Sequence, residues 1–331
     1  MKPSQIYLYA IGVAGLHALG FALLFATART HPVLLGMGFL AYTLGLRHAF
    51  DVDHIVAIDN TVRKLVQQRE NPVGVGFFFS LGHSTVVCLM ALVTALSVGW
   101  VQRELPQIQA VGGVIGTVVS GCFLLLMGLL NLFIWLEIYR IFQQMRRGGH
   151  DAGHLEQLLL SRGLIARVAG PLYRFINKSW HVYPLGFLFG LGFDTASEVA
   201  LLAISAGAAA SALPLTGILA LPLLFAAGMT LMDTADGVFM TTAYSWAFAT
   251  PLRKVYYNLT VTGLSVAAAL LIGVVELAQV FSQKLGLTAG IWRSLQELDF
   301  GRLGYVFVGL FLLTWVLSYS TWKVLRLEES A

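Results

Sequence analysis

Residues 33–58 read Val-Leu-Leu-Gly-Met-Gly-Phe-Leu-Ala-Tyr-Thr-Leu-Gly-Leu-Arg-His-Ala-Phe-Asp-Val-Asp-His-Ile-Val-Ala-Ile. The run is long and apolar enough to cross a membrane hydrocarbon core, which takes about 20 residues of helix. Yet its C-terminal part carries Arg47, His48, Asp51, Asp53 and His54 within eight positions. Ionisable side chains in hydrocarbon are costly and mark ion or substrate pathways by default. A membrane-length apolar segment with such a cluster predicts a membrane protein that handles a charged species inside the bilayer.

The rest of the chain extends this reading. Of 331 residues, 57% are hydrophobic and 11% charged, against about 25% charged in an ordinary soluble domain; the mean hydropathy is +0.76. Apolar residues come in blocks rather than in amphipathic periods. They predict an all-α integral membrane protein with eight transmembrane helices, at 6–28, 33–58, 73–98, 110–136, 184–208, 213–243, 259–281 and 303–322. The first block follows Lys2 and ends in Ala26-Thr27-Ala28, which imitates a secretory signal. Its apolar part exceeds the roughly 7–15 residues of a signal core, so it reads as a retained helix. Three regions result: helices 1–4 in 1–138, a basic loop in 139–183, and helices 5–8 in 184–331. Within the loop, 155–176 suits an interfacial helix, and His150 and His154 lie in a Gly-rich stretch that reads as a solvated linker.

Lys and Arg set the orientation, because cytoplasmic loops are enriched in them. Fifteen of the 21 fall at the N-terminus, in the 139–183 loop, after the sixth and eighth blocks, and between the second and third blocks (Arg63, Lys64, Arg69). Five fall on the other side and Arg47 lies within a span. Both termini and the long loop are therefore expected in the cytoplasm, with the chain multi-pass in a bacterial cytoplasmic (inner) membrane and surrounded by lipid. The pI near 9.1 is then a topology signal, and no nucleic-acid partner is expected. No Gly-x-x-x-x-Gly-Lys-Ser/Thr occurs, so no ATPase domain is expected in this chain. The two cysteines form neither a disulfide framework nor a thiolate metal site.

Seven acids lie well inside the blocks: Asp51, Asp53, Asp194, Glu198, Asp233, Asp236 and Glu276. Asp59 and Glu137 are placed nearer block ends, where hydration makes them less costly. His17, His48, His54 and His83 join them, with Arg47 as the single buried cation. Ion pairing cannot neutralise this set, so either several acids are protonated or a cation from outside completes it. In a regular helix, at 100° per residue, His48, Asp51 and His54 share a face of about 120° while Asp53 points elsewhere. Imidazole with carboxylate suits Ni, Co, Zn or Fe better than Mg or Ca, so His48, Asp51, Asp53, His54 and His83 are the candidate metal residues, with Asp53 either a ligand or the group that orients a ligating imidazole. A polar network that only fixes helix packing is the alternative. The third block offers His83, supported by the hydroxyls of Ser84 and Thr85. The fifth places Asp194 and Glu198 at i, i+4 beside Thr195; the sixth places Asp233 and Asp236 at i, i+3 beside Thr234. Each carboxylate pair reads as a proton relay or a cation site. His17 reads as a packing histidine more readily than as a ligand, and Pro214 and Pro222 are expected to break the sixth helix.

Four patches together resemble the signature motifs of the nickel/cobalt transporter family (NiCoT). Its His-x4-Asp-His is matched by His48, Asp53 and His54, and its third-helix Leu-Gly-His-Ser-Thr-Val-Val by 81–87. Leu-Gly-Phe-Asp-Thr-Ala-x-Glu is matched at 191–198 and Gly-Met-x-Leu-x-Asp-Thr-x-Asp-Gly at 228–237. Val52 stands where the family usually has Ala. The resemblance implies an eight-helix permease with Ni²⁺ or Co²⁺ as substrate rather than cofactor, no enzyme activity, high affinity and low capacity, and essential histidines and aspartates in the second helix. Helices 2–4 and 5–7 are expected to form an inverted repeat around a mid-membrane site. From the residues themselves, efflux of the same ions stays open. A membrane-embedded metallohydrolase also stays open, although no His-Glu-x-x-His occurs.

Overall fold

Among the described residues the chain is helix and turn, with no strand. The structure is a computed structural model and describes residues 3–96, 98–147, 176–192, 195–247, 258–298 and 300–324. In chain order the helices are α1 (Pro3–Ala28), α2 (Val33–His48), α3 (Val52–Gln67), α4 (Val75–Leu96), α5 (Val98–Arg147), α6 (Tyr183–Gly190), α7 (Ala196–Ala210), α8 (Leu215–Ala247), α9 (Gly263–Lys284), α10 (Ile291–Gln296) and α11 (Phe300–Val324). Five helical stretches are long and apolar enough to cross a membrane, or six if α2 and α3, bent by 53° at their junction, count as one broken span. Large apolar side chains such as Ile11, Phe25, Leu271 and Leu313 are exposed on the outer faces, as a lipid-facing surface requires, while polar side chains are gathered inside.

Two expected spans are broken. The second block, expected as one helix over 33–58, stops at His48 and restarts at Val52. Asp51 sits between them in extended backbone, φ −64° and ψ 136°. The new helix runs on to Gln67, well past the expected end. Asp59, Arg63 and Lys64, read as end or loop residues, are therefore inside a helix and buried, whereas Arg47, read as the single buried cation, is exposed. Residues 184–208 behave similarly: α6 ends at Gly190, and α7 begins after Thr195, whose backbone is extended at φ −88° and ψ 144°. Asp194, one half of the expected i, i+4 pair with Glu198, lies outside the described residues. The sixth block, where proline was expected to break the helix, is continuous: Pro222 lies inside the 33-residue α8. A membrane helix tolerates such a residue because neighbouring helices re-satisfy the freed carbonyl. Of the loop expected at 139–183, α5 takes the part up to Arg147 and a short 3₁₀ turn the part from Ser179; His150, His154 and most of the expected interfacial helix lie outside the described residues.

Helix α8 is the central post, packed on α1, α2, α3 and α4. Several helix crossings come down to backbone contact through glycine, among them α2 on α8 and α6 on α4. A Cβ on Gly45 of α2 would strike the Phe225 carbonyl of α8, and one on Gly228 the Tyr42 carbonyl. A Cβ on Gly186 of α6 would strike the Phe79 carbonyl of α4, and one on Gly82 the Tyr183 carbonyl. Small residues allow this approach, which is how membrane helices gain packing without a hydrophobic driving force between them. Ser80 of α4 donates to Thr230 of α8 at 3.0 Å and ties the two crossings together.

Candidate metal centre

The two breaks and α4 deliver their polar side chains to one place. His48 is the last residue of α2, His54 lies in the first turn of α3, and His83 lies mid-way along α4. Their ring centroids are 4.7, 4.8 and 4.8 Å apart, a nearly equilateral triangle. One ligating nitrogen from each lies within 4.8 Å of the others, and all three residues are at most 3% exposed. The Nε2 atoms of His48 and His83 are 3.0 Å apart. Two nitrogens bound about 2.1 Å from one ion and at a right angle stand about 3.0 Å apart, so this spacing fits two ligands of a single divalent ion. His54 Nε2 is buried and has no hydrogen-bond partner among the described residues.

Carboxylates surround the triangle. Asp51 Oδ2 is 2.8 Å from His48 Nδ1, and Asp233 Oδ2 is 3.4 Å from His54 Nδ1. A carboxylate on the far nitrogen of an imidazole fixes its tautomer and orientation for metal binding. Asp53, a candidate ligand or orienting group, accepts the backbone N–H of His54 at 3.0 Å; the His54 imidazole meets the carboxylate of Asp233, 179 residues along the chain. Glu198 Oε1 is 2.9 Å from His83 Nε2 and 4.0 Å from His48 Nε2, so this carboxylate enters the ligand cluster itself. Thr195 caps α7 by accepting the Glu198 backbone N–H at 3.4 Å, and its hydroxyl donates to Glu198 Oε2 at 2.8 Å. A helix N-cap thereby doubles as the bracket for the carboxylate beside the histidine triangle.

The other expected residues are distributed around this core. Asp236 lies one turn beyond Asp233 on α8, and its Oδ2 is buried without a hydrogen-bond partner among the described residues. The hydroxyls of Ser84 and Thr234 are likewise buried and have no partner among the described residues. Thr85 bonds the Leu81 carbonyl at 2.7 Å and the Tyr183 hydroxyl at 2.9 Å, joining α4 to α6. Asp194 lies outside the described residues. His17 is occupied elsewhere, with Nδ1 2.8 Å from the Val13 carbonyl and Nε2 3.2 Å from the Tyr42 hydroxyl; it packs α1 on α2 and stands apart from the triangle. Asp59 belongs to a separate cluster with Arg63, Tyr244 and Ser265. Those last three were missed in the sequence; a tyrosine eleven residues beyond Asp233 on an apolar helix was the one visible signal.

A cavity of about 410 Å³ adjoins the centre at Asp51 and Thr195 and is lined by Arg47, Asp53, Glu276 and Gln279 among others. Its wall carries carboxylates and amides, a path suited to a hydrated cation.

The chain's likeness to known proteins agrees with this chemistry. A family profile described as a high-affinity nickel-transport protein (NicO) matches residues 34–321. The nickel transporter NixA of Staphylococcus aureus is 56% identical over 95% of this chain and 93% of its own length. The high-affinity nickel-transport protein NixA of Helicobacter pylori is 51% identical over 96% of both chains. The cobalt transport protein NhlF of Rhodococcus rhodochrous is 43% identical over 91% of this chain and 87% of its own. No solved structure matches. With a family profile covering residues 34–321 and relatives up to 56% identical over nearly the whole chain, the protein belongs to the high-affinity nickel-transport (NicO) family.

Proposed function

We propose that this protein imports Ni²⁺ and/or Co²⁺ across the cytoplasmic membrane by alternating access, with His48, His54 and His83 as ligands and Glu198 as the adjoining carboxylate. The observation that carries the reading is the buried three-imidazole triangle with two nitrogens 3.0 Å apart. Imidazole donors select borderline ions such as Ni²⁺ and Co²⁺ over Mg²⁺ and Ca²⁺. Asp51 and Asp233 orient the rings, and Arg47, Asp53 and Glu276 line the approach. Asp233 with Asp236, and Asp194 with Glu198, supply carboxylates for a proton path. A doubly charged ion entering down the membrane potential gains about 4.6 kcal/mol per 100 mV. That supports roughly thousandfold accumulation without ATP.

In this reading the chain spans the membrane eight times, with α6 and α7 together as the fifth span and α11 as the eighth. Both termini are cytoplasmic; the Lys and Arg bias persists without the buried Arg63 and Lys64. The cavity then opens outward, toward the ends of α9 and α10. An inverted repeat of helices 2–4 and 5–7 is supported by a correspondence of packing. Tyr42-x-Leu-Gly45 in α2 meets Phe225-x-x-Gly228 in α8, and Tyr183-x-Leu-Gly186 in α6 meets Phe79-x-x-Gly82 in α4, through the same reciprocal glycine–carbonyl contacts. The first partner of one crossing corresponds to the first partner of the other, and the second to the second. Each broken span then delivers the third residue of its new helix, His54 or Glu198, to the centre.

The test is uptake of radioactive nickel into proteoliposomes with cobalt, zinc and manganese as competitors. Saturable uptake that cobalt inhibits and His48→Ala abolishes is expected. Undiminished uptake by His48→Ala sinks the site. Direction is read in cells, where an importer raises sensitivity to added nickel and an exporter raises tolerance.

A further inference from the structure

On the far side of the metal centre from the cavity, three helices are joined by a polar cluster with no contact to the histidine triangle. Arg63 of α3 donates through Nη2 to Asp59 Oδ2 at 2.6 Å and to the Tyr244 hydroxyl of α8 at 2.9 Å. Tyr244 donates to Asp59 Oδ1 at 2.5 Å, and Ser265 of α9 donates to Asp59 Oδ2. The guanidinium also lies 5.1 Å over the Tyr244 ring. None of the four residues is more than 2% exposed. Their position follows from the helices. Arg63 is nine residues beyond His54, roughly 13 Å along α3, and Tyr244 is eleven beyond Asp233, roughly 16 Å along α8. Ser265 is eleven residues before Glu276, which lines the cavity at the opposite end of α9.

We propose that Asp59, Arg63, Tyr244 and Ser265 form the gate that closes the transport path opposite the cavity, and that α3 parts from α8 and α9 there to release the ion. The proposal rests on the transport reading above. A buried ion pair adds little to stability compared with an apolar pair of the same volume, because desolvation offsets the attraction. Its distinguishing property is a dependence on water: dry, the pair is tight; hydrated, it holds little. A lock of this kind closes firmly and is weakened by the same water that enters when it opens. The closed form is also incompletely satisfied. Arg63 Nε and Nη1 are buried without hydrogen-bond partners among the described residues, and opening hydrates them.

Met240 supplies the probe. It lies on α8 between Asp233 and Tyr244, within about 20° of Asp233 and about 40° of Tyr244 around the helix, and is 5% exposed. Met240→Cys would be introduced in a Cys88→Ser/Cys122→Ser background of the full chain in nanodiscs. A charged methanethiosulfonate reagent would then be timed with Tyr244 intact, with Tyr244→Phe, and with the charge-free pair Asp59→Asn/Arg63→Gln. Labelling at least fivefold faster in either gate variant is expected, with the equilibrium Kd for radioactive nickel held within threefold. Ala220→Cys, fully buried at the other end of α8, should stay unlabelled throughout. Equal labelling with and without the Tyr244 hydroxyl overturns the gate. So does parallel labelling of Ala220→Cys, which would mean loosened packing instead of an opened path. Intact protein that binds no nickel would sink the transport reading, while the labelling ratio would still decide whether the cluster opens.

Discussion

Helices α3 and α7 begin alike and continue differently. Each comes after a break, starts at a residue with extended backbone (Asp51 or Thr195), and sends its third residue into the metal centre. Beyond that turn α3 carries Asp59, Asn60, Thr61, Arg63 and Lys64, all at most 2% exposed. Helix α7 continues as Val-Ala-Leu-Leu-Ala-Ile-Ser-Ala-Gly-Ala-Ala-Ala, with no ionisable group after Glu198. One half-helix is held by directional bonds to particular partners; the other, beyond Glu198, is packed by apolar side chains such as Leu201 and Leu202. The same start thus yields one element bonded to named partners along its length and one whose directional bond to another helix, from Glu198 to His83, lies in its first turn.

The largest expected effect tests the anchoring of α3. Asp59→Asn leaves Arg63 buried without its counter-charge, and removing one partner of a buried pair costs about 3–5 kcal/mol. Chemical unfolding in detergent should show that loss. Ser205→Ala on α7, which deletes a buried hydroxyl without a hydrogen-bond partner among the described residues, should change stability by less than about 1 kcal/mol. Similar losses at both positions would erase the distinction between the two helices.

Next come the two residues that the helices deliver to the histidine cluster. His54→Ala removes a corner of the triangle, and at least a hundredfold weakening of nickel binding is expected by equilibrium dialysis. Glu198→Gln keeps the Thr195 contact and the volume but removes the charge beside His83; about tenfold weakening is expected, in the range for groups that support metal ligands. If Glu198→Gln costs as much as His54→Ala, the carboxylate is a full ligand and the two helices contribute equally. Proton competition sharpens the same contrast. Imidazole ligates only when neutral, so affinity falls as pH falls, and the slope of log affinity against pH counts the protons displaced. Loss of His54 should flatten that slope, while Glu198→Gln should leave it nearly unchanged between about pH 6 and 7.5, a range above ordinary carboxylate titration.

The parts of the molecule legible in the sequence divide along the same line. Motif spacing identified His48, His54, His83, Glu198 and Asp233 as candidates, because ionisable groups in apolar runs stand out wherever they fall. The break at Asp51 was hidden: Ala49-Phe50-Asp51-Val52 contains no glycine or proline, and the orienting contact to His48 that accompanies the break forms only in three dimensions. Pro222 misled in the opposite sense, since its neighbours keep α8 continuous. Asp59 and Arg63 were read as residues near a water boundary because charges at the end of a hydropathy peak usually are. Their burial depends on Tyr244 and Ser265, 185 and 206 residues from Asp59, and no local pattern encodes a partner at that distance.

The smallest expected effect separates the two caps. Asp51 precedes α3 but makes no side-chain cap bond; its carboxylate is 2.8 Å from His48 Nδ1. Thr195 does cap α7 and also holds Glu198. Replacing an N-cap threonine by alanine typically costs about 1 kcal/mol, so Thr195→Ala should lower stability by that amount and weaken nickel binding only as far as Glu198 swings free. Thr195→Ser retains the hydroxyl and should restore both. Asp51→Asn should do the reverse, leaving unfolding nearly unchanged while nickel affinity drops about tenfold or more through a misoriented His48. A stability loss at Asp51 equal to that at Thr195 would show that the aspartate caps its helix after all. The two breaks would then differ only in the helices they introduce, and the metal centre would owe its geometry to the helix crossings rather than to the caps.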